Sequence, residues 1–351
     1  MKILLAVSGG VDSSTALYIL KKRGFDIEAI TLFLWDRNSH KRSCCSLEAV
    51  QRARKICYRY NVKHFTIDSR NEFEEIIVNK NFVEEYKKGL TPNPCVFCNR
   101  FFKFGILIKE MKKRNCEFLA TGHYARTYKE NGKYFIRKAK DKEKDQSYFL
   151  SMIKGEVIKH LIFPLGDLTK KEVIEIARKE KLFLPGYEES QDLCFINTDV
   201  NDFLREKIGE KPGYIFFRGK KVAEHNGFYN FTIGQRKGLS LSLGEKVYVK
   251  KIDPYKNLVI VDRREELMKT KIYVGKFNLF TYIKGEKILK VKIRNLHRES
   301  PARVKFYDNY AEIEFFEPQF APTPGQIAAF YDDEILLGGG IIYDNGQNSN
   351  N

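Results

Sequence analysis

The chain has 351 residues, with 62 Lys and Arg against 45 Asp and Glu, a formal charge of +17. That length exceeds one typical single core and points to two or three domains, and 43% hydrophobic with 13% aromatic residues excludes a disordered chain. No stretch of about 18 apolar residues exists to span a membrane, and the positive excess, large for an enzyme of small substrates, favours a nucleic-acid partner.

The start Met1–Val7 is too short an apolar run for a secretory signal and lacks a cleavage site, so a cytoplasmic protein is expected. Residues 2–7 read as a buried strand, and a helix follows from about Ser13 until Gly24 stops it. Ile27 to Trp35 and His64 to Asp68 read as further strands, with helices over 46–60 and 71–88. The charged stretch between Trp35 and Ser46 reads as a loop. A helix over 101–114 and a strand from Phe118 to Gly122 follow. Strands alternating with helices predict an α/β fold with a Rossmann-like parallel sheet.

After Gly122 the pattern changes. Asn131-Gly132 between two β-rich pieces is a hairpin signal. Thr169 and Glu172 form a capping box opening a helix over 170–181, and Pro185-Gly186 ends that region. From about 210 the chain is rich in Gly and β-formers, and from 272 short alternating runs predict a small β-barrel. The expected division is a catalytic unit over 1–200, a small β-rich unit over 201–271, a C-terminal β-barrel over 272–345 and a disordered tail over 346–351.

Ser8-Gly9-Gly10-Val11-Asp12-Ser13-Ser14 occupies the first strand-to-helix turn. Its glycines let the backbone approach a ligand, and the amides opening the helix favour an anion. No Lys sits in this loop, so it is not the GxxxxGK[ST] phosphate loop. Asp12 beside phosphates suggests Mg²⁺. A Gly-Gly-Ser turn is common as a plain tight turn, but the full string in this position points to a nucleotide.

The seven cysteines are odd in number and unevenly spaced, which argues against a structural disulfide framework. Thr91 to Arg100 holds a single CxxC, Cys95 and Cys98, ahead of the helix expected over 101–114. A thiol near a helix start with Arg100 and Lys103 close by is activated as a thiolate. Cys194 is the second candidate and must fold back over the nucleotide site. Three readings stay open. Cys98 and Cys194 form a reactive pair, or Cys95, Cys98 and Cys194 hold a metal or a [4Fe–4S] cluster with one open iron, or either Cys is structural. Cys57 and Cys116 read as buried and inert, and Cys44 and Cys45 have no assignment.

Seven strings in order, TPNPCVFCNRFFKFG, ATGHYAR, DKEKDQSYFL, FPLGDLTK, ESQDLCFI, FTIGQRKGL and GQIAAFY, together with SGGVDSS, resemble the tRNA-specific 2-thiouridylases, within the N-type ATP pyrophosphatases. The resemblance spans nearly all of residues 1–343. It implies ATP contacts at Ala6, Val7, Ser8, Gly9, Gly10, Val11, Asp12, Ser13, Leu34 and Gly122. It implies Cys98 as nucleophile and Cys194 as the persulfide carrier. It implies tRNA contacts at Asn93, Pro94, Cys95, His123, Lys144, Asp145, Gln146, Arg294, Asn295 and Gln326. One position departs from the pattern: some relatives carry Asp, with an acid–base role, where this chain has Cys95, and a thiol with pKa near 8.5 suits that role poorly.

The reaction so implied is ATP-dependent 2-thiolation of the wobble uridine of tRNA through an adenylated uracil oxygen, with release of AMP and pyrophosphate. It implies a persulfide-donating protein as partner, a cysteine desulfurase or a relay, and a Cys98–Cys194 disulfide; a monomer is expected, though nothing in the sequence sets the oligomeric state. Two rivals are an amidotransferase-type ATP pyrophosphatase acting on a small substrate and a non-catalytic basic RNA-binding protein.

Overall fold

The computed structural model describes residues 1–36, 46–182, 193–197 and 199–344. Cys44 and Cys45, the Pro185-Gly186 stop and the tail after Asp344 lie outside the described residues.

The first unit alternates β1 (Lys2–Ala6), α1 (Val11–Lys22), β2 (Asp26–Phe33), α2 (Leu47–Arg59) and β3 (Lys63–Asp68). Next come α3 (Arg70–Phe73), a π-helical stretch (Glu74–Val83) and α4 (Glu84–Lys87), without interruption. After them α5 (Pro94–Cys98), a second π stretch (Asn99–Ile106) and α6 (Leu107–Lys113) form another unbroken rod. β4 (Phe118–Ala120) and, later, β7 (Leu161–Ile162) complete a sheet ordered β3-β2-β1-β4-β7 with every pairing parallel. Alternation along β1 feeds two cores: Ile3 and Leu5 pack with Leu17, Leu20 and Ile56 on one face, and Leu4 packs with Phe73, Phe82 and Phe102 on the other.

The expected hairpin forms from β5 (Ala125–Glu130) and β6 (Lys133–Lys138) around Asn131-Gly132. Its destination was not legible in sequence: β6 pairs with the last strand of the chain, Arg137 opposite Ile335 and Ile136 opposite Leu336. The capping box also forms. Thr169 Oγ1 accepts from Glu172 N, and a Glu172 carboxylate oxygen accepts from Thr169 N, opening α7 (Lys170–Lys179).

Beyond α8 (Val200–Ile208), β8 (Gly213–Phe217), β9 (Lys220–His225), β10 (Tyr248–Asp253) and β11 (Leu258–Asp262) make a four-stranded sheet ordered β10-β11-β8-β9. The C-terminal strands are β12 (Met268–Leu279), β13 (Gly285–Lys292), β14 (Ser300–Phe306), β15 (Tyr310–Phe320), β16 (Ile327–Asp332) and β17 (Ile335–Tyr343). They run β12-β15-β14-β13-β16-β17, and a β12–β17 pairing closes six strands into a barrel. Alternate residues such as Ala302, Val304, Ala311 and Ile313 fill its interior. The charge-rich start of β12, Lys-Thr-Lys, hid that strand from a reading by alternation.

Candidate active site

In a doubly wound sheet, ligands gather at the carboxyl ends of the strands where the order reverses. Here β1 is followed on one side by β2 and on the other by β4, so the reversal lies between β1 and β4. The turns after these two strands face each other across a cleft of about 200 Å³. Ala6, Val7, Ser8, Asp12 and Ser13 line one side, Leu34 lines the β2 end, and Gly122 lies opposite. A Cβ on Gly122 would stand 3.1 Å from Ser13 N and 3.2 Å from the Asp12 carbonyl carbon, so only glycine lets the two turns meet. Gly9 has φ +70°, and a Cβ there would lie 2.5 Å from the Ala49 carbonyl on α2.

The loop is tied to itself. Ser13 Oγ accepts from Ser8 N at 3.2 Å and donates to the Gly10 carbonyl at 3.1 Å, while Arg52 Nε donates to the Gly9 carbonyl at 3.3 Å. Gly10 caps α1 without a side chain, which leaves the opening amides of the helix for an anion. Asp12 accepts at Oδ1 from Tyr124 Oη at 2.8 Å and pairs there with Lys170 Nζ at 2.7 Å. Lys170 and Tyr124 were not legible as site residues: Lys170 is the first residue of α7, and only the fold brings α7 beside α1.

The rod carrying the CxxC forms the second wall. Its helix begins at Pro94, seven residues before the expected start at 101, because Pro94 sits at the first helical position and Asn93 Oδ1 accepts from Val96 N at 3.4 Å. Cys95 therefore lies in the first turn and is exposed, while Cys98 ends α5 and is buried. Further along, Lys103 and Leu107 line the cleft, and the Phe104 ring packs at a tilt against His123 with centroids 5.6 Å apart. Burial, and then the Lys103 charge, hold the His123 imidazole well below its usual pKa; its Nδ1 lies 2.8 Å from Thr121 Oγ1.

Cys194 is half-buried and packs on the same core as Cys98. Its neighbour Phe195 anchors the segment by edge-to-face contact with Phe82 at 5.1 Å and Phe73 at 6.0 Å, and Phe73 in turn meets Phe102 at 5.4 Å, one turn beyond Cys98. Phe195 thus packs the segment against the layer that carries Cys98, and Cys194, expected to fold back over the nucleotide site, is not among the residues that line the cleft.

Three family profiles tile the chain: one described as tRNA methyl transferase HUP domain over residues 1–198, one as tRNA methyl transferase PRC-barrel domain over 201–263, and one as aminomethyltransferase beta-barrel domain over 269–342. A tRNA-specific 2-thiouridylase, MnmA 1, of Caldanaerobacter subterraneus subsp. tengcongensis is 41% identical, with 97% of each chain covered. The corresponding protein of Clostridium acetobutylicum is 35% identical over 97% of this chain and 99% of its own. The chain belongs to the tRNA-specific 2-thiouridylase family.

On this 2-thiouridylase fold the remaining expected residues have varied surroundings. Gln146 lines the cleft, and its Oε1 accepts from Tyr124 N at 3.0 Å. Asp145 accepts from Ala139 N at 2.9 Å and Ser147 Oγ at 2.6 Å, and burial raises its pKa in spite of these donors. Lys144 is exposed. Arg294 turns inward: its guanidinium donates to the Ile233 carbonyl at 2.7 Å and to Thr323 Oγ1, joining the middle unit to the barrel. Asn295 beside it is half-buried. Gln326 Nε2 donates to the Thr91 carbonyl at 2.8 Å and to the Pro92 carbonyl at 3.3 Å, just ahead of the CxxC. On the barrel, Lys290 pairs with Asp333 at 2.8 Å and Lys292 is half-buried over Tyr148. Cys57 and Cys116 are buried, and burial pushes the Cys57 thiol up to about 12. Among the described residues no helix is long and apolar enough to cross a membrane.

Proposed function

We propose that this protein is an ATP-dependent tRNA-uridine 2-sulfurtransferase acting on the wobble base. One observation carries the reading: the phosphate loop and the rod bearing Cys98 are two walls of a single cleft, with Ser8, Asp12 and Ser13 on one and Lys103 and Leu107 on the other. ATP lies with its adenosine toward Leu34 and Gly122 and its phosphates on the loop amides. The tRNA lies across Asn93–Cys95, His123, Lys144–Gln146, Arg294–Asn295 and Gln326, and the +17 charge of the chain suits it.

The uracil C2 oxygen attacks the α-phosphorus as the N3 proton leaves to solvent. The new O–P bond displaces pyrophosphate, and loop amides stabilise the developing charge. Asp12, through the carboxylate oxygen that Tyr124 and Lys170 leave, and the Ser13 hydroxyl would hold Mg²⁺, which would neutralise the leaving pyrophosphate. For sulfur, the Cys98 thiolate attacks Sγ of a Cys194 persulfide. A Cys98–Cys194 disulfide forms and hydrosulfide leaves, adds to C2 and expels AMP. A thiol reductant then returns two electrons to the pair. An unpaired wobble base can enter such a cleft without melting a helix.

The alternative cluster chemistry fits less well. Cys95 is exposed and Cys98 buried, and among the described residues no three His, Cys, Asp or Glu side chains form a metal-binding group, so no step runs through a cluster. A persulfide-bearing protein supplies the sulfur, and the enzyme works as a cytoplasmic monomer.

The deciding experiment supplies ATP with and without unmodified tRNA and separates the products. AMP and pyrophosphate formed only with tRNA are expected. ADP and phosphate would remove the adenylation step, tRNA-independent AMP would favour a small-substrate synthetase, and no turnover would favour a binding protein.

A further inference from the structure

The phosphate loop carries no lysine, yet it must hold a chain of phosphates and release pyrophosphate. Among the described residues lining the cleft, Lys103 is the only Lys or Arg and Asp12 the only carboxylate. Asp12 already has a cation in Lys170, which is not part of that lining. His123, kept neutral by burial, adds no charge.

Lys103 owes its position to the π stretch Asn99–Ile106. In an α-helix, residues five apart point about 140° away from each other. A π-helix bonds i to i+5, so such residues stand about one turn apart on one side. Lys103 lies five residues beyond Cys98 on this rod, and it lines the cleft while Cys98 is not among the lining residues. Lys103 is half-buried, where a charge acts more strongly than in water. Leu34, Leu107 and His123 line the same cleft.

We propose that Lys103 is a catalytic residue of adenylation, its ammonium pairing with the α-phosphate and stabilising that group both as pyrophosphate leaves and as AMP departs from C2. Lys103 thereby supplies from the thiol-bearing helix the cation that other phosphate loops carry within themselves. The inference rests on the adenylation reading above.

The test compares wild type, Lys103→Met and Lys103→Arg in single-turnover pyrophosphate release with saturating tRNA. Removing one such electrostatic group costs about 10²–10³ in rate. Lys103→Met is expected to lose kcat by about a hundredfold, with a smaller rise in KM for ATP and an unchanged thermal melt. Lys103→Arg, which keeps the charge, is expected to recover at least about tenfold of that loss. Near wild-type release by Lys103→Met would overturn the proposal, as would an Arg variant no better than the Met variant. Failure of the wild type itself to form AMP would instead remove the adenylation reading, a result that needs no variant.

Discussion

Lys170 Nζ lies 2.7 Å from Asp12 Oδ1, so the first residue of α7 holds the one carboxylate of the phosphate loop. The pair is partly buried, with side-chain exposures of 13% for Lys170 and 33% for Asp12. Removing one partner of such a pair costs about 1–3 kcal/mol, between the surface and buried limits. Lys170→Met is expected to weaken ATP binding by about tenfold or more, read by equilibrium dialysis. Unchanged affinity would show that the ion pair has no part in the shape of the loop.

The barrel grips the CxxC segment through Pro324–Gln326. Thr91 N donates to the Pro324 carbonyl at 3.0 Å, and Gln326 returns two bonds. Gly325 has φ +91°, and a Cβ there would lie 3.0 Å from Thr91 N. Gly325→Ala therefore combines backbone strain with a clash and should cost at least about 1–3 kcal/mol. The expected readout is a lower melting temperature and slower thiolation, with ATP affinity little changed because neither Thr91 nor Gly325 lines the cleft. A wild-type melting temperature would count against the strain.

Cys98→Ser and Cys194→Ser should each abolish 2-thiouridine formation and leave ATP binding intact, because neither thiol lines the loop side of the cleft. Mass spectrometry of digested tRNA measures the product. Product retained by either variant would remove that residue from sulfur transfer. AMP formation without sulfur incorporation in both variants would place the two thiols after adenylation.

Burial is the largest cause lowering the pKa of His64, His123, His225 and His297. Each resists protonation in the fold and takes a proton more readily in the unfolded chain, around the ordinary imidazole value of 6.5. The unfolded state then binds more protons, so stability falls as pH drops through that value, by up to about 1.4 kcal/mol per pH unit for each histidine. The melting temperature should decline steadily from pH 7 to pH 5. His225→Gln, in the middle unit and away from the cleft, should flatten that decline. An identical slope would show that His225 is not among its causes.

The loop at Ser8–Ser14, the Asn131-Gly132 turn and the Thr169 capping box are local patterns, each written within about ten residues, and each was legible in the sequence, as were the strands and helices that alternate through the first unit. Lys103, Lys170 and Tyr124 were not, because what brings them to the loop is tertiary. Lys170 reaches Asp12 across 158 positions, and Lys103 turns toward the cleft through a π register that periodicity does not announce. The early helix start had a legible signal in Asn93-Pro94, a cap followed by the residue best suited to a first helical position, which reads equally as a stiff loop. Arg294 and Gln326 show the converse: their place in the chain was clear, but not that their polar ends would meet backbone carbonyls.

The hairpin of β5 and β6 finishes at Lys138, yet the strand that covers its edge begins at Ile335. On a ribosome adding about 5–20 residues per second, that edge waits roughly 10–40 seconds for its partner. During that interval the nascent chain presents a row of unpaired backbone groups, the kind of surface on which other chains add strands. Synthesis cut short before β17 would leave a nucleotide-binding half with its own sheet intact and a permanently open seam, so quality control has a distinct feature by which to recognise unfinished copies.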